Sequence, residues 1–126
     1  MSSALETGKQ LVAFCSKGKF LEAVNKLYAR NIVSIEPQGA PGMPAKMEGI
    51  EAIRGKNQWW IENHEVHEAQ VEGPFVGPKK DQFAVRYFLD VTNKPSGQRM
   101  KMTEVGLYTV NRNGKVKQEE FLYLMG

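Results

Sequence analysis

The chain has 126 residues, of which 41% are hydrophobic and 25% charged, and its formal net charge is +3. This composition is typical of one folded domain, residues 1–126, with a single hydrophobic core, and it excludes a disordered chain. The positive charge is small and the lysines are dispersed, so we expect no nucleic-acid partner. No apolar run is long enough for a transmembrane helix, so we expect no membrane partner either.

The chain contains one cysteine, Cys15, which excludes an intrachain disulfide. The surroundings of Cys15 in the sequence indicate a small residue that packs a helix. No long apolar run follows the N-terminal charges, so we expect no signal peptide and a cytoplasmic location.

Three helices are predicted in the first half of the chain, over residues 4–17, 19–28 and 49–64. The second has the clearest pattern, because its apolar residues recur at helical spacing from Phe20 to Tyr28. A short strand is predicted over residues 32–36 and ends at Pro37. Residues 38–46 hold two glycines and two prolines and are predicted to form a loop.

The second half changes to the period-2 pattern of β-strands, over residues 66–76, 83–91, 102–110 and 116–124. Asn113-Gly114 between the last two runs predicts a hairpin with a two-residue turn. That turn would place Tyr108 opposite Glu119, Gly106 opposite Phe121, and Val110 opposite Lys117.

The predicted register sorts the hairpin side chains onto two faces. One face carries Met102, Glu104, Gly106, Tyr108, Lys117, Glu119, Phe121, Tyr123 and Met125. The other carries Thr103, Val105, Leu107, Thr109, Val116, Gln118, Glu120, Leu122 and Leu124. The whole order predicts an α+β domain with its helices gathered on one side of an antiparallel sheet.

Several short segments resemble the nuclear transport factor 2-like superfamily, and its SnoaL-like domains in particular. They are Phe20-Leu21-Glu22-Ala23, Leu27-Tyr28-Ala29, Ile35-Glu36-Pro37, Gly49-Ile50-Glu51-Ala52-Ile53-Arg54, Thr103-Glu104-Val105-Gly106, Tyr108, and Asn113-Gly114-Lys115-Val116. Each segment is weak alone, but their order and spacing cover nearly the whole chain. The resemblance implies a cystatin-like cone in which three N-terminal helices close a strongly curved antiparallel sheet.

The resemblance also implies one pocket inside the cone for a small, partly apolar ligand, with no cofactor and no metal. Members include ketosteroid isomerases, polyketide cyclases and dehydratases, and also proteins that catalyse nothing, so the fold alone does not decide the function. The inner hairpin face supplies aromatic and methionine surface suited to such a pocket. The expected lining residues are Tyr87, Met102, Tyr108, Glu119, Phe121, Tyr123 and Trp60.

Glu36 is the leading catalytic candidate, because Glu36-Pro37 resembles the position of the general base in ketosteroid isomerases. In an apolar cone the charged form of this carboxylate would be disfavoured, which would raise its pKa. Glu104 is a second candidate for a polar role on the same face. The alternative for Glu36 is a strand-end carboxylate in solvent or paired with a lysine, and the alternative for Glu104 and Glu119 is a hydrogen bond to the cross-strand tyrosine.

The rest of the isomerase apparatus is missing, so steroid isomerisation is not expected. The family's helix-1 tyrosine falls near Leu11, its strand aspartate near Gly106, and its helix-3 tyrosine near Asn57. His64 and His67 lack the spacing of a zinc site. The functional choice therefore stays between a cofactor-independent isomerase, cyclase or dehydratase and a non-catalytic domain that binds a ligand or another protein.

The outer hairpin face predicts self-association. Its five aliphatic side chains are Val105, Leu107, Val116, Leu122 and Leu124. Helices committed to the inner side leave nothing in this chain to cover them, and such a patch is unusual on a monomer. We expect a homodimer in which the outer sheet faces pack on each other.

Overall fold

The structure is a computed structural model that describes residues 3–40 and 42–123. It contains three α-helices, all in the first half of the chain, and six β-strands, of which the last four follow one another along the chain. The helices are α1 Ser3–Ser16, α2 Phe20–Leu27 and α3 Ile50–Asn63; the strands are β1 Tyr28–Ile35, β2 Lys46–Glu48, β3 His64–Phe75, β4 Gln82–Asn93, β5 Gln98–Val110 and β6 Val116–Leu122. The predicted α+β class is confirmed, and no helix within these ranges is both long and apolar enough to cross a membrane.

The six strands form one curved sheet in the order β2-β1-β6-β5-β4-β3. The prediction of a purely antiparallel sheet is wrong in one place, because β1 pairs with β6 in parallel. These two strands are separated by most of the chain, so a hairpin pattern could not reveal their pairing. Register shifts in β3, between Val66 and Glu68 and between Glu72 and Phe75, are of the kind that bends a strand.

The core lies between the helices and the inner face of the sheet. In α2 the spacing of Ala23, Val24 and Leu27 gives one buried stripe. In β4 the alternation from Phe83 through Val91 buries every second side chain against the helices. The helices therefore cover one face only, as the sequence predicted.

Two boundaries differ from the sequence prediction. β1 begins at Tyr28, directly after α2, so residues 28–31 are strand and not the end of a helix followed by a loop. β2 at Lys46–Glu48 includes Lys46, the last residue of the predicted loop, and two residues for which the sequence predicts no element; it is strand because it pairs with residues 33–35 of β1. In both places a tertiary pairing decides the conformation, which local composition does not indicate.

The hairpin between β5 and β6 has the predicted register but not the predicted turn. Asn111 accepts the Gly114 amide at 3.0 Å and donates its own amide to Lys115 at 2.8 Å, so the loop is longer than two residues. Only Gly114 has a positive φ, +78°, whereas a type I′ turn would require Asn113 to have one as well. A bulge at Lys117, opposite the step between Thr109 and Val110, then restores the pairings Tyr108–Glu119 and Gly106–Phe121.

The bulge changes which side chains face outward at the start of β6. Val110 pairs with Val116 and not with Lys117. Val116 is completely buried in the core, while Lys117 is exposed. The assignments of Val116 to the outer face and Lys117 to the inner face were therefore wrong. Leu124 and Met125, also assigned to these faces, lie outside the described residues.

Candidate functional site

A cavity of about 280 Å³ opens between the helices and the inner face of the sheet. All of the residues that the sequence proposed for a pocket border it: Trp60, Tyr87, Met102, Tyr108, Glu119, Phe121 and Tyr123. Both candidate carboxylates, Glu36 and Glu104, border the same cavity. The side chains of α1 and α2 that border it are apolar, whereas α3 contributes Lys56 and the sheet side contributes the carboxyl groups; a few polar groups in a largely apolar lining are typical of a small-molecule pocket.

Glu36 lies just beyond the end of β1 and is held by two side chains. Its Oε1 accepts a hydrogen bond from the Tyr123 hydroxyl at 2.9 Å, and its Oε2 forms an ion pair with Lys56. The side chains of Glu36 and Lys56 are 21% and 19% exposed, so the pair is largely withdrawn from water. The surroundings of Glu36 are thus polar, with a cation from α3 and a hydroxyl group from Tyr123, whereas the sequence predicted an apolar cone.

Lys56 borders the cavity and is a candidate site residue that the sequence did not single out. From α3 its ammonium donates to Glu36 and to the Ser34 hydroxyl at 2.9 Å, and it lies 5.2 Å from the ring centre of Phe121. An ammonium has three N–H donors, so one remains beyond these two hydrogen bonds. The available signal was its place one turn before Trp60, on the same face of a helix predicted to cover the cavity.

The hydrogen-bond chain continues inward from Lys56. Ser34 accepts from Lys56 and donates its single hydroxyl proton to Glu119 Oε2 at 2.8 Å. The Tyr28 hydroxyl donates to the other oxygen of Glu119. The hydroxyl protons of Ser34 and Tyr28 are therefore both donated to Glu119, and the Lys56 ammonium lies between Glu36 and the Ser34–Glu119 pair.

Burial changes the acidity of two of the cavity carboxyl groups. Burial, and next the nearby Glu36 carboxylate, raise the pKa of Glu104 to about 7, with Lys56 acting in the opposite direction. Burial also raises the pKa of Glu119, against the lowering effects of Lys56, Tyr28 and Ser34. Neither carboxyl group bonds its cross-strand tyrosine: Tyr123, opposite Glu104, bonds Glu36, and Tyr108, opposite Glu119, bonds Tyr87.

A second buried cluster forms the floor of the cavity. The hydroxyls of Tyr87 and Tyr108 are hydrogen-bonded at 2.6 Å, and Cys15 Sγ lies 3.9 Å from the Tyr87 hydroxyl. Burial raises the pKa of Cys15 to about 12, so this thiol stays protonated and is not a nucleophile at neutral pH. The Tyr108 ring fills the space beside Gly106, so a Cβ on residue 106 would lie only 2.7 Å from the Tyr108 hydroxyl.

Trp59 and Trp60, near the C-terminal end of α3, border the cavity, and His64 packs against both of their rings. Trp60 stacks on His64 with ring centres 4.4 Å apart, and Trp59 is 42% exposed at the same end. His64 bonds the Trp60 carbonyl at 2.8 Å, and His67 bonds Thr92 at 2.7 Å. Within residues 3–40 and 42–123, no group of three or more His, Cys, Asp or Glu side chains could hold a metal ion.

The family model for the SnoaL-like domain matches residues 3–123. The chain belongs to this family. A SnoaL-like protein of known structure from Mesorhizobium loti, provisionally described as a polyketide cyclase and also labelled a carbohydrate phosphatase, is 47% identical. The alignment covers 94% of this chain and 97% of that chain, with a TM-score of 0.85. The chain has no significant match among curated proteins.

More distant neighbours confirm the nuclear transport factor 2-like cone. A Mycobacterium tuberculosis protein in complex with estradiol-17β-hemisuccinate is 20% identical over 99% of this SnoaL-like chain and 96% of that chain, with a TM-score of 0.77. A Δ5-3-ketosteroid isomerase from a Mycobacterium species is 18% identical over 99% and 95%, with a TM-score of 0.71. At these identities the likeness establishes the fold alone.

Proposed function

We propose that this SnoaL-like protein binds a small, partly apolar molecule in the cone and transfers a proton on it without a cofactor, as an isomerase, cyclase or dehydratase. The observation that carries the proposal is the contact set of Glu36: a carboxylate bordering the cavity, ion-paired to Lys56 and hydrogen-bonded to Tyr123. A positioned carboxylate beside a cation is suited to removing a proton and stabilising the negative charge that results.

In the proposed step, Glu36 takes a proton from the carbon next to a carbonyl group. The C–H electron pair forms the enolate C=C bond, and the carbonyl π pair moves to oxygen, where the third N–H of Lys56 donates a hydrogen bond. When the substrate carries a β,γ C=C bond, the enolate is conjugated with it: the oxygen pair re-forms the carbonyl, the double bond moves to the α,β position, and the γ-carbon takes the proton back from Glu36, which completes an isomerisation. If a hydroxyl group leaves from the adjacent carbon instead, it takes a proton from Glu104 and departs as water, which completes a dehydration.

Glu104 fits the role of the second acid–base group. A general acid works best when its pKa lies near the operating pH, and burial brings the pKa of Glu104 to about 7. Glu36 and Glu104 thus have different surroundings, one tied to a cation and one without a side-chain partner among the described residues. Such a contrast between two carboxyl groups is common where one acts as base and the other as acid.

Two structural neighbours support this reaction class in general terms, because one is described as a polyketide cyclase and the other as a ketosteroid isomerase. Steroid isomerisation itself remains unexpected for this chain. Leu11 and Gly106 replace the residues that the isomerase resemblance requires, and Asn57 donates to the Ile53 carbonyl at 2.9 Å inside its own helix.

Ligand binding without catalysis is the second candidate. It is favoured by the engagement of both Glu36 oxygens, one by Tyr123 and one by Lys56. A base with both oxygens engaged must give up or share a hydrogen bond to accept a proton. The M. tuberculosis neighbour also holds an estradiol derivative.

We also propose that the protein is a cytoplasmic homodimer joined through the outer face of the sheet. The apolar residues there are Phe88, Val105, Leu107 and Leu122, of which Leu122 is 52% exposed. β5 and β6 bring Val105 and Leu122 side by side. Burying each valine or leucine side chain stabilises an interface by about 1.5–3 kcal/mol.

Hydrogen–deuterium exchange tests the catalytic proposal without knowledge of the natural substrate. The probe is 1-indanone, an enolisable bicyclic ketone, whose exchange at C2 in D₂O is followed by NMR. We expect the parent protein to raise the exchange rate at C2 above the protein-free rate. Glu36→Gln should lower this catalysed rate by about 10²–10⁴-fold. The control Glu22→Gln, which changes an exposed carboxylate on α2, should leave the rate unchanged. Equal exchange by Glu36→Gln and the parent protein would exclude Glu36 as the base, whereas binding without exchange by the parent would favour the second candidate.

A further inference from the structure

We infer that the ligand of this cavity is an uncharged, largely apolar compound of one or two rings that presents a carbonyl or hydroxyl oxygen, and that carboxylates and phosphate esters are excluded. The inference rests on the proposed function, because it specifies the ligand of the same cavity. It follows from the cavity's size, from the balance of charge along its wall, and from the one carboxyl group there that lacks a side-chain partner.

The size of the cavity limits the ring system. Its volume is about 280 Å³, near the lower end of the roughly 300–1,000 Å³ typical of ligand pockets. An apolar cavity of about 150 Å³ holds one benzene molecule, so this space encloses one ring or two fused rings. Leu11, Val24, Phe20 and Trp60 supply the apolar surface that such rings would contact.

The charge balance excludes anions. Among the described residues that border the cavity, Lys56 is the one cationic side chain, and three carboxyl groups accompany it: Glu36, Glu104 and Glu119. The Lys56 ammonium is already ion-paired to Glu36 and bound to Ser34, whose own proton is held by Glu119. No positive charge is therefore left uncompensated for a carboxylate or phosphate, and a bound anion would face like charges at short range.

The remaining polar group indicates what the ligand carries. No hydrogen bond or ion pair joins Glu104 to another side chain within residues 3–40 and 42–123, although it is only partly exposed. A protonated carboxyl group donates to a carbonyl oxygen, and an ionised one accepts from a hydroxyl group. A pKa of about 7 makes both states accessible at neutral pH. A hydroxyl group therefore pairs with Glu104 in either state and a carbonyl oxygen pairs with its protonated state, whereas an anion is repelled by its ionised state.

Three compounds on the same bicyclic frame test the inference: 1-indanone, indane-1-carboxylate and 1-aminoindane. Their affinities for the full chain are measured by isothermal titration calorimetry at pH 7.5. We expect 1-indanone to bind at least about tenfold more tightly than the carboxylate, since like charges at close range are unfavourable. Glu104→Gln should narrow this ratio severalfold by removing one of those charges, while Glu22→Gln should leave it unchanged.

The possible failures are distinguishable. If indane-1-carboxylate or 1-aminoindane binds more tightly than 1-indanone, the uncharged class is wrong although the cavity still binds ligands. Binding of estradiol as tight as that of 1-indanone would overturn the limit of two rings. If none of these compounds binds at millimolar concentration, the proposed function fails together with the inference. Circular dichroism establishes that each variant is folded before its affinity is compared.

Discussion

Substituting Gly106 by alanine tests the packing on which the cavity depends. The added methyl carbon would lie 2.7 Å from both Cε2 and the hydroxyl of Tyr108 and 2.9 Å from Cζ, closer than carbon atoms pack. Tyr108 cannot move aside easily, because it is 1% exposed, stacked on Phe83 at 4.9 Å and hydrogen-bonded to Tyr87. The clash must therefore displace a buried ring that borders the cavity.

Overpacking of this kind costs about 1–3 kcal/mol of unfolding free energy. For a domain of this length that corresponds to a fall in Tm of about 4 °C per kcal/mol, or roughly 4–12 °C, measured by thermal denaturation followed by circular dichroism. The matched control is Gly55→Ala in α3, where an added Cβ meets nothing within 4 Å. Alanine is the better helix former, so this control should stabilise by up to about 1 kcal/mol. A Gly106→Ala protein as stable as the parent would refute the described packing of Tyr108.

Three further predictions concern charge and assembly. In the folded state the pKa of Glu104 is about 7, above its ordinary 4.5, so between these pH values the folded protein binds more protons than the unfolded protein. The free energy of unfolding of the parent therefore falls as pH rises from 4.5 to 8. The difference in unfolding free energy between Glu104→Gln and the parent, measured by urea denaturation, should shift in favour of the variant over this range by up to about 3 kcal/mol. The charged groups that act on Glu104 are Glu36 from the β1 end, Lys56 from α3 and Glu119 from β6. A difference in unfolding free energy between variant and parent that does not change with pH would contradict this prediction. Lys56→Met should abolish 1-indanone exchange while the protein stays folded, since enolate stabilisation is lost; unchanged exchange would remove Lys56 from the mechanism. Leu107→Lys should convert a dimer to a monomer in light scattering, while Val66→Lys, at an exposed site on β3 that pairs with Val91 on the opposite face of the sheet, should not. A parent protein that is already monomeric at micromolar concentration would rule out the proposed dimer.

Local pattern predicted the helices and most strands because one face of each is buried. The alternation in β4 and the stripe in α2 follow from burial on one side, which is recorded directly in residue order. The hairpin shows the limit of this reasoning. Asn113-Gly114 predicted the correct register for Tyr108 and Glu119 through a turn that does not form, because a longer loop and a bulge at Lys117 compensate each other.

The candidate site was predictable only in part. Glu36 and the inner hairpin face could be placed by resemblance and alternation, and they border the cavity. Lys56 could not be connected to Glu36, since they lie 20 positions apart and meet only when α3 packs across β1. The same holds for Tyr28 and Glu119, which meet because β1 and β6 pair in parallel. Contacts set by tertiary pairing carry no local signature, and they decide whether a carboxylate lies among apolar groups or beside a cation.

The most direct test of the central claim is a crystal structure of the protein with 1-indanone bound. We predict that the bicyclic ring lies inside the cone. Its C2 atom should lie about 3–3.5 Å from a Glu36 carboxylate oxygen, the separation required for proton transfer. The ketone oxygen should lie within hydrogen-bonding distance of Lys56 or Glu104. A ligand bound outside the cone, or bound inside it with C2 directed away from Glu36, would contradict the assignment of Glu36 as the base.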